Sequence, residues 1–291
     1  MRALVVGLGI GNLYKDILDN LGIDTVTVDK DPLKKANFIN LDEAIQEYEH
    51  FDLSFVCTPN YTHQLIAERV AENSDIILVE KPGFIDAESW MKFITDHNST
   101  RAMMIKNNMW RDNIETLKQY ASESTSVNIS WIRKDCVPNP GGWFTNKDLA
   151  YGGVSRDLMP HLLSLYVAIN PEWEDSKIIF RTFEQHWRLE DITSTEYGQV
   201  YTDGEYNVDD CCIIDLDNNF HLVSNWRSLD TEKSNIEFYK NQRMFHAEEL
   251  GWCPGSAYER MIVTALENKN NHEFWKQQAS QDSWILSQVG N

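Results

Sequence analysis

The stretch Ala3-Leu4-Val5-Val6-Gly7-Leu8-Gly9-Ile10-Gly11-Asn12-Leu13 decides the fold. Four apolar residues in a row read as a buried parallel strand. Three glycines at alternate positions then make a tight turn. Leu13, Ile17, Leu18 and Leu21 follow with the spacing of one helical face. Strand, glycine turn and helix, in that order, suit close approach of a pyrophosphate to a helix N-terminus. The usual spacing is G-x-G-x-x-G; here the third glycine comes one residue early, and Asn12 stands in its place. The same glycines could serve only an ordinary turn with φ > 0. The flanking strand and helix make Gly7, Gly9, Ile10 and Gly11 candidate cofactor contacts.

The same alternation continues outward. Further apolar runs lie at 25–28, 53–57, 76–79 and 102–105, with helical periods between them. Trp90, Phe93 and Ile94 form one such period behind Asp86, an expected N-cap. Strands alternating with helices predict an α/β Rossmann domain, a doubly wound parallel sheet with right-handed crossovers. After about Asn108 the texture changes. Strands are expected at 127–134, 177–187, 211–216, 220–227 and 236–244, with a hairpin turn at 217–219. Leu158, Leu162, Leu165 and Ile169 mark one strong helix, and 257–289 reads as helical. This predicts a C-terminal α+β domain with a mostly antiparallel sheet. The expected boundaries are 1–108 for dinucleotide binding and 109–291 for substrate, catalysis and oligomerisation, in line with ~150 residues per domain.

The strand ends carry the chemistry. Asp29 closes the second strand, 22 positions after Gly7. An acid there accepts hydrogen bonds from ribose hydroxyls and repels a 2′-phosphate. That repulsion is of order 4 kcal/mol at ~4 Å and an effective dielectric of ~20. NAD is therefore favoured over NADP, although Lys30 follows and softens the field. Cys57-Thr58-Pro59-Asn60 ends the third strand, with His63 close behind. These residues suit either cofactor contact or capping of the next helix. Glu80-Lys81-Pro82-Gly83 ends the fourth strand. A lysine at the cofactor edge can hold or move a proton, or lie on the surface.

In the second half, Tyr151-Gly152-Gly153-Val154-Ser155-Arg156-Asp157-Leu158-Met159-Pro160-His161 precedes an apolar helix. With the glycine turn, the Cys57–His63 segment and Glu80-Lys81-Pro82, the chain resembles the glucose–fructose oxidoreductase / inositol dehydrogenase (Gfo/Idh/MocA) family. The resemblance covers nearly the whole chain, with the motifs in order. It implies a two-domain nicotinamide oxidoreductase acting on sugars, cyclitols or nucleotide-sugars. It also implies a homodimer or homotetramer built through the second sheet. By resemblance, Lys81 matches the lysine of E-K-P, and Asp157 and His161 match the acid and histidine after the double glycine. The chemistry agrees: oxidising a secondary alcohol needs a base for the hydroxyl proton, and an imidazole with an ordinary pKa of ~6.5 suits it. Lys81 would hold the same oxygen, and Asp157 would orient His161 or bind a neighbouring hydroxyl. Without the resemblance, Asp157 could be a helix cap and His161 a core histidine. Asn108, Trp143 and Arg156 are candidate substrate contacts: a family-like amide, an indole for a sugar face and a cation for an anionic group.

Composition bounds the partners. The chain has 26 Lys and Arg against 45 Asp and Glu, a formal net charge of −19. That speaks against nucleic acid and against anionic membranes. The sequence shows no apolar run of membrane-spanning length and no signal-peptide pattern. Its five cysteines fit no zinc spacing, which suggests free thiols in a reducing cytoplasm and no metal site. The expected partner is a small sugar-like substrate. Two other functions share these features: a non-catalytic NAD-responsive binding protein, and NAD-assisted elimination or glycoside cleavage.

Overall fold

The apolar runs of the N-terminal third become strands within one residue of where they read. The computed structural model describes residues 1–195 and 197–290. Its first elements are β1 (Arg2–Val6), α1 (Gly11–Asn20), β2 (Asp24–Val28), α2 (Leu41–Tyr48), β3 (Leu53–Val56), α3 (His63–Ala71), β4 (Ile76–Val79), α4 (Ala87–Asp96) and β5 (Arg101–Met104). The five strands form a parallel sheet in the order β2-β1-β3-β4-β5. All residues of β3 and β4 are buried, as a sheet covered on both faces requires. Asp86 caps α4 by accepting the Ser89 N–H at 2.7 Å. The buried face of α1 differs from the expected one: Gly11, Tyr14, Ile17 and Leu18 point inward, so Tyr14 takes the place read for Leu13.

Next come α5 (Ile114–Glu123), β6 (Ser126–Ile132), α6 (Lys147–Ala150), α7 (Val154–Asp157), α8 (Met159–Ile169), β7 (Ile178–Glu184), β8 (Cys211–Leu216), β9 (Phe220–Asn225), β10 (Lys233–Lys240) and β11 (Arg243–Glu249). The chain ends with α9 (Gly255–Glu267) and α10 (His272–Val289). The second sheet runs β11-β10-β6-β9-β8-β7 and is antiparallel except for β6 with β9. Strand β9 alternates buried and half-buried residues, because α8 covers one face.

The described residues divide into two compact units, Met1–Ile105 with Tyr258–Gly290, and Lys106–Ala257. The C-terminal helices thus fall with the parallel sheet, unlike the expected 109–291 grouping. The reason is local: β5 is an edge strand, and Asp282 of α10 accepts the Met104 N–H at 2.8 Å. Helix α10 also packs on α4 and buries Ile285, Leu286 and Val289.

Three other expectations change. The run at 236–244 is a hairpin, because Asn241 and Gln242 both take positive φ (53° and 65°) and reverse the chain. The run at 257–289 is two helices, with Asn271 capping the second through the Phe274 N–H at 3.2 Å. Strand β7 stops before residue 187, because buried Asp210 draws the amides of His186 and Trp187 out of the ladder. Cys211 and Cys212, adjacent at the start of β8, are both buried.

Candidate functional site

In the first unit, the C-terminal edge of the parallel sheet gathers most of the expected cofactor residues. Strand order reverses at β1, so the ends of β1 and β3 flank the crevice where such sheets bind ligands. Gly7 has φ +93°, and a Cβ there would lie 2.5 Å from the Cys57 carbonyl oxygen. A Cβ on Gly11 would lie 2.9 Å from Val5 Cγ1 and 3.4 Å from Cys57 Cβ. The early third glycine therefore allows the close helix–strand packing that the usual spacing assigns one residue later. A Cβ on Gly9 would meet nothing within 4 Å, so that side of the turn is open. Ile10, at the N-cap of α1, gives no side-chain cap. The amides of Gly9, Ile10 and Gly11 donate to no protein acceptor among the described hydrogen bonds. Such a row of amides at a helix start binds anions.

Asp29 locks the turn. Its Oδ2 accepts the Leu8 N–H at 2.6 Å, and its Oδ1 accepts the Asp31 N–H at 2.9 Å. A carboxylate oxygen can accept more than one hydrogen bond, which leaves capacity for a ribose hydroxyl. Amides for a pyrophosphate and an acid for a ribose fit a dinucleotide without a 2′-phosphate. Lys30 is exposed just beyond Asp29.

Other expected contacts support the cradle from beneath. Cys57 is buried under Gly11, and burial pushes its thiol well above the usual range. His63 is buried with Nδ1 2.9 Å from the Gly83 carbonyl and Nε2 2.6 Å from the Thr58 carbonyl. It ties together the loops after β3 and β4, so both ring nitrogens serve the protein. Burial lowers its pKa to about 4, against the pull of the two carbonyls. Glu80 is buried too; it accepts the Tyr14 hydroxyl and, at 3.1 Å, the Lys81 N–H. Cys57, His63 and Glu80, all expected at the cofactor edge, are thus engaged by packing and internal hydrogen bonds. Thr58 accepts the Thr62 hydroxyl at 2.7 Å, Pro59 leads into a short 3₁₀ turn, and Asn60 is buried within it. Lys81 sits half-buried directly after that carboxylate.

In the second unit, His161 lies in the first turn of α8. Its Nδ1 is 3.0 Å from Asn107 Oδ1. An amide oxygen there makes Nδ1 the protonated nitrogen and puts the lone pair on Nε2. The Asn108 amide N–H reaches the His161 carbonyl at 3.4 Å, and the Trp131 ring tilts against the imidazole at 5.5 Å. Asp157 ends α7 rather than capping α8, whose N-cap is Leu158. The Asp157 Oδ2 accepts the Trp226 indole N–H at 2.8 Å. Arg156 is buried in α7, and Trp143 packs its ring on Phe144 at 3.8 Å. The double glycine before α7 has its own cause: a Cβ on Gly153 would lie 1.8 Å from the Asp209 carbonyl oxygen.

No protein-family model matches the chain. A protein assigned as a UDP-kanosamine synthase oxidoreductase subunit of Amycolatopsis mediterranei (strain S699) is 28% identical over 179 residues. That match spans 56% of this chain and half the length of the relative. The crystal structure of GenD2 from gentamicin A biosynthesis, in complex with NAD, matches with a TM-score of 0.73 and 17% identity, over 99% of this chain and 92% of that one. Levoglucosan dehydrogenase in complex with NADH and levoglucosan gives 0.70 and 14%, over 99% and 97%. A myo-inositol dehydrogenase from Corynebacterium glutamicum gives 0.69 and 14%, over 98% and 94%. The chain shares the fold of these three structures.

Within this fold, several supporting residues escape a sequence reading. Asn107 faces His161 across 54 positions of chain, with no local signal. Tyr14 looks like one more apolar helix position, yet its buried hydroxyl holds Glu80. Asp209 accepts the amides of Gly153 (2.9 Å) and Ser155 (2.7 Å) and the Ser155 hydroxyl (2.9 Å). Only the double glycine hinted that another segment passes there.

Proposed function

We propose that the chain is an NAD(H)-dependent oxidoreductase that moves a hydride between nicotinamide and a secondary hydroxyl or ketone of a sugar, cyclitol or nucleotide-sugar. The observation that carries this is the turn at Gly7–Gly11, with open amides at the start of α1 and Asp29 locked beside them. Nicotinamide supplies the hydride chemistry when bound. His161 is assigned the proton of the reacting hydroxyl, because Asn107 directs the lone pair to Nε2. Such a base typically contributes roughly 10² to 10⁴ in rate. Lys81 is assigned the developing alkoxide charge. Gly7, Gly9, Ile10, Gly11 and Asp29 are assigned to the cofactor.

The reading includes a cytoplasmic location, supported by five free cysteines. It includes a homodimer or homotetramer through the second sheet, supported by exposed Phe180 on β7 and Phe245 on β11. Among the described residues, no helix is long and apolar enough to cross a membrane.

The test is NADH titration followed by a turnover screen with polyols and keto-sugars. NADH should bind, and Lys81→Met and His161→Ala should each abolish turnover while leaving NADH binding in place. Absence of NADH binding at millimolar concentration would refute the reading. Unchanged turnover in both variants would refute the assigned roles.

A further inference from the structure

One segment of the second unit holds two groups at once. Residues 107–111 begin with Asn107 and Asn108, which fix the ring and the carbonyl of His161. They end with Arg111, whose Nε donates to Asn108 Oδ1 at 2.8 Å. The same guanidinium donates to the carbonyls of Leu250 (2.5 Å) and Gly251 (3.2 Å). Arg111 is itself buried. A buried guanidinium needs such acceptors to offset its lost hydration, and here the acceptors hold a loop. The next residue, Trp252, keeps 71% of its surface exposed.

Trp252 is not a stray surface residue. Its ring meets Trp131 edge-on at 6.0 Å, and Trp131 in turn meets His161 at 5.5 Å. Trp131 is buried, so it backs both neighbours without offering a surface. The Arg133 guanidinium lies 5.3 Å from the Trp252 ring centre, and Glu232 lies 3.8 Å from Arg133. The indole is thus exposed on a held loop, with a cation over its ring and a carboxylate next to that cation, one ring away from the candidate base. An exposed aromatic surface with a guanidinium and a carboxylate close by matches a hydroxyl-bearing ring, whose C–H face is apolar and whose edge is polar. Pinning the loop in advance lowers the ordering cost of binding.

We propose that Trp252 is the stacking platform for a carbohydrate or cyclitol ring of the substrate, held in register with His161 by residues 107–111. This rests on the preceding reading of the function but is measured apart from turnover. The probes are myo-inositol, D-glucose and UDP-glucose, followed by saturation-transfer NMR and calorimetry on the full chain without cofactor. Wild type should bind at least one of the probes through its ring protons. Trp252→Ala should weaken that binding about tenfold, Trp252→Phe should keep most of it, and NADH affinity and thermal midpoint should not move. Ring-proton transfer without any turnover with NAD(H) would keep the platform and remove the oxidoreductase reading. Three outcomes overturn the platform: no binding of any probe, equal binding by Trp252→Ala, or loss confined to UDP-glucose, which would assign the indole to the uracil base. A change of oligomeric mass in Trp252→Ala would also overturn it, by assigning the indole to a contact between copies.

Discussion

Two helices begin after closely spaced glycines, and their N-termini meet opposite fates. At α1 the side chains withhold a cap, and the amides of Gly9, Ile10 and Gly11 face no protein acceptor among the described hydrogen bonds. At α7 the carboxylate of Asp209 already occupies the amides of Gly153 and Ser155. The glycines differ to match. Gly9 is glycine beside open space, whereas Gly153 is glycine because the Asp209 backbone passes through the volume of its absent Cβ. A glycine pair before a helix therefore has two physical meanings. One leaves the helix-start amides open beside the turn; the other lets a carboxylate of the chain itself take them.

That contrast breaks most easily at Gly153. Its obstacle is a backbone carbonyl 1.8 Å away, which cannot rotate aside. Gly153→Ala should lose about 3 kcal/mol or more through overpacking and backbone displacement. A urea midpoint equal to wild type would show that the two segments are not locked together. Acid probes the first region instead. His63 is folded with a pKa of about 4, against about 6.5 unfolded, so the unfolded chain binds the proton more readily. Its contribution is complete above pH ~6.5 and is lost as the pH falls from there towards 4, by order 3 kcal/mol in all. Urea melts at pH 7.5 and pH 4.5 should show this loss in wild type and a flatter profile in His63→Gln. Equal slopes would remove the histidine from the account. Asp209→Ala should then cost about 2 kcal/mol, the upper end for an N-terminal cap, since three donors lose one acceptor. Asp209→Asn should recover part of it, because one oxygen remains. Equal loss in both variants would point to packing rather than capping.

The parallel sheet was legible because continuous apolar runs are a local signal, and β4 matches its reading at both ends. The hairpin between β10 and β11 was not, because Asn241-Gln242 lacks the glycine that marks such turns, although both residues take positive φ. The placement of α10 was hidden for another reason. Asp282 reads as a surface acid on a polar helix, and only the unpaired edge of β5 gives it a buried task. The candidate site divides in the same way. Gly7, Asp29 and Lys81 stand at strand ends, where chain order alone reveals them. Asn107, Arg111 and Asp209 act through contacts 54 to 140 positions away, which no window of sequence contains.

Gly9 offers the smallest structural effect and the sharpest separation of the two helix starts. Its φ is not in the left-handed region, and a Cβ would meet nothing within 4 Å. Gly9→Ala should therefore change stability by no more than about 0.5 kcal/mol, with a slight gain expected from the less flexible unfolded chain. The same methyl would stand on the open side of the turn, where a pyrophosphate must approach the amides closely. NADH affinity should fall at least about tenfold, a loss of about 1.4 kcal/mol in binding free energy. Fluorescence titration beside a urea melt measures both quantities on one sample. Weakened NADH binding in an undiminished fold would mean that Gly9, unlike Gly153, is required by a ligand and not by the chain. Unchanged affinity would mean that the open amides of α1 are not where the cofactor's phosphates lie.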